Sequence, residues 1–229
     1  MILKKWSELP SDLQIDEVKP YYDILSEKKC SLVAKRIFDI LVSLIMLILL
    51  SPIFLVLAIA IKIDSKGPVF FKQTRITQYG KEFKIYKFRT MVNNAEKIGT
   101  QVTVDNDARI TKVGSVIRNC RLDEIGQLIN IFKGDMTFVG TRPEVKKYVD
   151  AYTPEMLATL LLPAGVTSIA SIKYKDEAEL LSKANDVDST YINEILPQKM
   201  KYNLESIKNF SFWDDIATMF KTVGSVLNI

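Results

Sequence analysis

The sequence predicts a mixed α+β protein, mainly helical and attached to a membrane. Three observations carry this. Residues 40–61, ILVSLIMLILLSPIFLVLAIAI, run for 22 positions without a charge between Asp39 and Lys62. Two stretches of alternating apolar and polar residues, VFFKQTR at 69–75 and KEFKIYKFRTM at 81–91, have the period of β-strands. From about Lys112 to Lys133 the apolar residues recur at helical spacing.

Composition bounds what can be built on this frame. A chain of 229 residues suits one compact domain plus a membrane element. A net charge of +4 is too small to imply a nucleic-acid partner by itself. Lys28, Lys29, Lys35, Arg36, Lys62, Lys66 and Lys72 flank the apolar run, a placement that fits anionic head groups. Two cysteines, Cys30 and Cys120, give neither a disulfide framework nor a zinc pattern. There is no histidine, which excludes histidine-based triads. Acid–base or nucleophilic work at neutral pH falls to carboxylate, lysine, tyrosine, cysteine or water.

In chain order, residues 1–33 are polar and mixed, a short helical or partly ordered extension without the features of a secretory signal. Residues 34–63 form the membrane element. A 22-residue helix is roughly 33 Å long, enough to cross a hydrocarbon core of about 30 Å. Pro52 nevertheless lacks an N–H, and its ring crowds the carbonyl of Ile48, so the helix should bend there. Ser51 can hydrogen-bond a carbonyl freed by that bend. Positive charge at both ends suits a hairpin with both ends on one side. Physics alone leaves a re-entrant and a spanning helix equally open.

Residues 64–229 form the remaining domain. Its β-hairpin spans 69–91 around ITQYG, and 92–110 read as a polar loop. In the helix that follows, Leu122, Ile125, Leu128, Ile129 and Phe132 share one face. Asp123, Gln127 and Asn130 share the other, with Glu124 at its edge and Gly134 as the stop. GDMTFVGTRPE reads as a tight, glycine-bordered turn presenting Arg142. Near the C-terminus Phe212, Trp213, Ile216, Met219, Phe220 and Val223 form a stripe suited to the head-group layer or to core packing.

The chemistry centres on the adjacent carboxylates Asp123 and Glu124. Helix neighbours point about 100° apart, so the two can flank one site. One could act as nucleophile while the other holds a hard cation such as Mg²⁺ during phosphoryl transfer. Such pairs are also common on solvated helix faces. Arg142, rigidified by Pro143, has the planar fork that recognises phosphate. Arg118, Lys87 and Arg89 are further candidate anion contacts, each also readable as ordinary surface charge.

KRIFDI, the Ser-Pro-broken helix, GPVFFKQTR, FKIYKFRTM, DARITKVGSVIR, LDEIGQLINIFKGDMTFVGTRPE and FSFWDDIATMFKTV occur in one order. Together, over residues 34–226, they resemble the bacterial sugar transferase family, the monotopic phosphoglycosyl transferases. The resemblance implies a re-entrant helix kinked at Ser51 and Pro52, interfacial amphipathic helices, and a catalytic domain on the cytoplasmic face of the bacterial inner membrane. It also implies two-step transfer: Asp123 attacks the β-phosphate of a UDP-sugar and releases UMP, then passes the phosphosugar to undecaprenyl phosphate. Glu124 would hold Mg²⁺, and Arg142, Arg118, Gln127, Lys87 and Arg89 would serve phosphate and substrate.

The chain departs from the family pattern at Gly126, where a proline is usual, at Thr141, at Thr77, and across Pro163–Ser168. None of these removes a charged catalytic group. The length of residues 1–33 reads as the small, catalytic-core form. A glycosyltransferase releasing UDP and a non-catalytic membrane adaptor are the rivals. The sugar, and whether the chain forms a homodimer, are left open.

Overall fold

A computed structural model describes residues 3–93, 95, 107–182, 184 and 186–227. The chain opens with helices α1 (Lys19–Glu27), α2 (Lys29–Leu49) and α3 (Ser51–Asp64), followed by strands β1 (Phe70–Ile76) and β2 (Glu82–Phe88). Then come α4 (Lys112–Asn119), a 3₁₀ turn at Leu122–Gly126, α5 (Gln127–Lys133) and β3 (Met136–Val139). After α6 (Lys146–Val149) and β4 (Ala164–Thr167) the chain is helical: α7 (Ile169–Lys173), α8 (Glu177–Ser182), α9 (Val187–Thr190), α10 (Leu196–Lys208) and α11 (Phe212–Leu227). The mixed, mainly helical class read from the sequence is the class observed.

α2 and α3 meet at a bend of 60°, and no single described helix is long and apolar enough to cross a membrane. The bend falls where the sequence puts it. Ser51 Oγ donates to the Ile48 carbonyl at 2.7 Å, the group that the proline ring deprives of its helical donor. Ile37, Leu41, Ile45, Leu49, Val56 and Ile59 leave this helix pair with large apolar side chains exposed.

The N-terminal half of α2 is tied down by charge. Lys35 is 3% exposed and Asp39 only 1%. Lys35 Nζ donates to the Val139 carbonyl at 2.7 Å and to Asp215 of α11 at 2.5 Å. Asp39 accepts from Thr137 Oγ1 at 2.7 Å and from the Phe138 N–H at 3.3 Å. Arg36 donates to the carbonyls of Ile131 and Phe132, acceptors in the C-terminal turn of α5. The head-group role expected for Lys35 and Arg36 is therefore corrected. A buried ammonium needs partners, and β3, α5 and α11 supply them.

The hairpin is observed as read, β1 and β2 pairing antiparallel from Phe70 opposite Phe88 to Ile76 opposite Glu82. Of the polar 92–110 segment, residues 94 and 96–106 lie outside the described residues, and Met91 bridges Ile110. The single helix expected over 112–133 is broken. Arg121 adopts φ 56°, a left-handed conformation, so α4 ends and the chain re-enters through the 3₁₀ turn. The polar face expected on that helix is also corrected, because Gln127 and Asn130 are buried. Asn130 accepts from the Tyr86 N–H and donates to the Lys84 carbonyl, both at 2.9 Å. Its amide thus satisfies the edge of β2 that β1 leaves open.

The expected turn at GDMTFVG is a buried strand instead. β3 pairs in parallel with β4, Met136 opposite Ala164 and Val139 opposite Thr167. A parallel partner 28 residues away leaves no local sequence signal. The pairing extends past the strands, with Gly140 N–H donating to the Thr167 carbonyl and Gly165 N–H to the Thr141 carbonyl. At Gly165 a Cβ would lie 2.2 Å from the Gly140 nitrogen, so only glycine permits this approach.

Leu3, Leu9, Leu13, Val18, Tyr21 and Leu25 pack in one buried cluster with Leu161, Leu204 and Phe210. The polar N-terminal segment is built into the fold. Asp39→Ala should destabilise the protein by about 3 kcal/mol, since it strands two buried donors and uncovers Lys35. Ser51→Ala, at an exposed site, should cost no more than about 1 kcal/mol. Chemical unfolding in detergent micelles compares the two.

Candidate active site

Asp123 and Glu124 sit on the 3₁₀ turn between α4 and α5, aimed by the left-handed Arg121 before them. The turn packs against β2: a Cβ on Gly126 would lie 2.9 Å from the Tyr86 carbonyl oxygen. Gly126 has φ −58°, a value proline also adopts, but a proline's Cβ would meet the Tyr86 carbonyl, so glycine at this departure from the family pattern is what permits the close packing of the turn on β2.

Two cations from separate elements converge on one oxygen of Glu124. Lys87 Nζ, from β2, donates to Oε1 at 2.8 Å. Arg142, from the loop after β3, donates through Nη2 to the same Oε1 at 2.5 Å and through Nη1 to the Val166 carbonyl at 3.5 Å. Asp123, beside them, forms no ion pair with a described side chain.

The two carboxyls are consequently driven in opposite directions. Burial pushes Asp123 up from the usual carboxylate range, and the neighbouring Glu124 charge pushes it the same way, against the pull of Lys87 and Arg118. Burial also opposes ionisation of Glu124, but Arg142 and Lys87 overcome it and hold the group far below that range. Glu124 in turn raises Arg142 above its ordinary value despite burial.

Of the residues singled out in the sequence, Asp123, Glu124, Lys87 and Arg142 are brought together. Arg118, at the end of α4, contributes its field to Asp123. Gln127 opens α5 and is 1% exposed, with Nε2 lacking a partner among the described residues. Arg89 is turned elsewhere. Its guanidinium donates to the carbonyls of Lys66 at 2.6 Å and Ser65 at 2.8 Å, where it caps the end of α3. The geometry makes it an anchor of the helix pair.

Sequence reasoning missed the support behind Arg142. Glu144, two residues on and buried, accepts a hydrogen bond from the Tyr191 hydroxyl. Lys199 and Arg75 lie 3.8 and 3.9 Å from its oxygens. Arg75 also donates to the Pro143 carbonyl at 3.2 Å, fixing the loop from below. Glu144 within the GTRPE run was the available signal. Tyr191 and Lys199 carried none, being brought in by the tertiary fold alone.

Glu124→Gln removes a negative neighbour from Asp123 and leaves Lys87 and Arg142 unneutralised, and both effects favour its ionisation. Asp123 should titrate at lower pH in that variant, measured by ¹³C NMR of labelled aspartate carboxyls. An unchanged midpoint would mean that burial alone sets the shift.

Residues 30–229 match the family model described as bacterial sugar transferase. The chain is 38% identical over 196 residues to a UDP-N-acetylgalactosamine-undecaprenyl-phosphate N-acetylgalactosaminephosphotransferase of Aeromonas hydrophila, covering 84% of this chain and 43% of that protein. It is 37% identical over 199 residues to a UDP-glucose:undecaprenyl-phosphate glucose-1-phosphate transferase of Klebsiella pneumoniae, covering 84% and 40%. It is 31% identical over 209 residues to the exopolysaccharide production protein ExoY of Sinorhizobium fredii, covering 85% of each. The chain thus spans less than half the length of the first two relatives.

Proposed function

The chain belongs to the bacterial sugar transferase family, and on that premise we propose that it transfers a sugar 1-phosphate from a UDP-sugar to undecaprenyl phosphate, releasing UMP. The observation that carries the reading is the asymmetry of the dyad. Glu124 is held by two cations while Asp123, one residue away, has no ion-pair partner among the described residues. A carboxylate free to attack, beside an arginine and a lysine able to receive phosphate oxygens, is what phosphoryl transfer to an aspartate requires.

In this mechanism an Asp123 oxygen bonds to the β-phosphorus of the UDP-sugar. The bond from that phosphorus to the bridging oxygen breaks, and UMP leaves with the electron pair. The phosphosugar is then an acyl phosphate on Asp123. An oxygen of undecaprenyl phosphate attacks the same phosphorus, the bond to Asp123 breaks, and the carboxylate is regenerated with the lipid diphosphate sugar as product. Arg142 and Lys87 orient the phosphate oxygens and offset their charge. Asp123 needs no base in its ionised form, which accords with a chain lacking histidine.

The donor set fits Mg²⁺. Among the described residues no group of three acidic, histidine or cysteine side chains forms a complete cage. Mg²⁺ is ordinarily held by one or two carboxylates together with substrate phosphates and waters. Glu124, with Asp123 beside it, would hold the ion, which when bound neutralises phosphate oxygens as charge develops.

The 60° bend and the exposed apolar side chains of α2 and α3 support a helix pair that dips into one leaflet and returns. Trp213, Phe220 and Val223, exposed on α11, support that helix lying in the head-group layer. The domain would then work at the cytoplasmic face of the inner membrane, where both substrates meet.

Asp123→Asn should lower UMP release from a UDP-sugar panel, with undecaprenyl phosphate and Mg²⁺ present, by at least about a thousandfold. Release of UDP in place of UMP would instead mean plain glycosyl transfer and overturn the role of Asp123.

A further inference from the structure

Glu124 Oε1 is the meeting point of Lys87 at 2.8 Å and Arg142 at 2.5 Å. An oxygen so engaged is a poor ligand for a divalent cation, because a cation taking it must displace two positive groups already there. The same two groups are the ones a phosphate would attract. Neither is bound elsewhere tightly enough to prevent exchange. Among the described residues Arg142 makes one further hydrogen bond, the long one to the Val166 carbonyl, and Lys87 is a flexible side chain with part of its surface exposed.

From this arrangement we infer that Lys87 and Arg142 hold Glu124 in reserve, and that the diphosphate of a nucleotide sugar releases it. The inference rests on the proposed reading of this site and adds its order of assembly. An incoming phosphate draws the ammonium and guanidinium onto its own oxygens. Glu124 Oε1 is then uncovered at the moment when phosphate oxygens are present to share a cation with it. The divalent ion then gains a Glu124 oxygen that the protein by itself keeps engaged.

Charge supports the same order. In the free site Lys87, Arg142 and the field of Arg118 already act on Asp123 and Glu124, and Lys87 and Arg142 occupy the very Glu124 oxygen that a cation would take. A divalent ion alone would add positive charge to positive charge. A diphosphate alone reverses the balance, and the ion then restores it.

The protein's own part in this order is separable from the tendency of Mg²⁺ to travel with diphosphates in water. Mn²⁺ serves as the paramagnetic probe, titrated into the nucleotide-free full chain in detergent micelles and followed by the resonance of free Mn²⁺. Lys87→Gln and Arg142→Gln should each bind Mn²⁺ more tightly than the unaltered chain by about tenfold, within the ordinary range of coupling between sites. Adding Glu124→Gln to either variant should remove the gain. Equal Mn²⁺ affinity in the unaltered chain and in both single variants would overturn the inference, as would a gain that survives Glu124→Gln. The two substitutions lie on different elements, so either one that folds decides the question. UDP release in the nucleotide assay above would instead refute the underlying reading while leaving the Mn²⁺ result to stand or fall alone.

Discussion

The burial of Lys35 and Asp39 on a largely apolar helix is the constraint on which the arrangement of this molecule rests. A charged side chain removed from water is tolerated only when its partners are in place. Here the partners are specific atoms: the Val139 carbonyl, the Thr137 hydroxyl, the Phe138 N–H and the Asp215 carboxylate. These fix both the rotation of α2 about its axis and its depth against β3. Apolar packing of Phe38, Val42 and Met46 against Leu128, Ile131 and Phe138 supplies attraction between the same surfaces, but hydrophobic contact is non-directional and would accept neighbouring registers. The polar contacts do not.

That choice of register reaches the candidate site through the chain itself. β3 leads directly into Gly140, Thr141 and Arg142, and its parallel partner β4 holds the start of that loop through backbone hydrogen bonds on both sides. From the opposite direction β2 delivers Lys87. α5 is fastened to β2 by the Asn130 amide and to α2 by Arg36 at its C-terminal carbonyls. The dyad turn that precedes α5 is thus set between two anchored elements. Charges on the helix pair and charges in the site belong to one connected structure.

How much of this was legible in the sequence depends on the range of the interaction concerned. The bend at Ser51 and Pro52 and the hairpin at 70–88 are local consequences of ring geometry and alternating side chains, and they were readable. The left-handed Arg121 was not, because nothing in RLDE requires a positive φ and glycine, its usual bearer, is absent there. Gln127 and Asn130 were read as a solvated face because helical periodicity reports polarity without reporting whether a strand edge waits to be satisfied. Lys35 and Arg36 were read as surface charge for the same reason. The four charged groups at the centre of the site were found from their motifs, although Arg89, equally basic in the same hairpin, binds carbonyls of the α3 terminus. Residue type proposed the candidates, and only the tertiary contacts separated them.

The dyad itself shows why adjacency in sequence need not mean equivalence in role. Paired titratable groups whose surroundings push them apart are the pattern by which one site divides two tasks between like side chains. Asp123 and Glu124 share a turn and the cost of burial. They differ in that both cations reach Oε1 of Glu124 and neither pairs with Asp123. A carboxylate stabilised so strongly as an anion has little tendency to give up electron density to a new bond, which argues for Glu124 as the charged scaffold of the site. Asp123, partly buried and less stabilised, carries the repulsion that Glu124 imposes on it, which is the asymmetry the proposed nucleophilic role rests on. The proposed division of roles therefore rests on where Lys87 and Arg142 are delivered, and that delivery is fixed by the hairpin, β3 and the buried charges of α2.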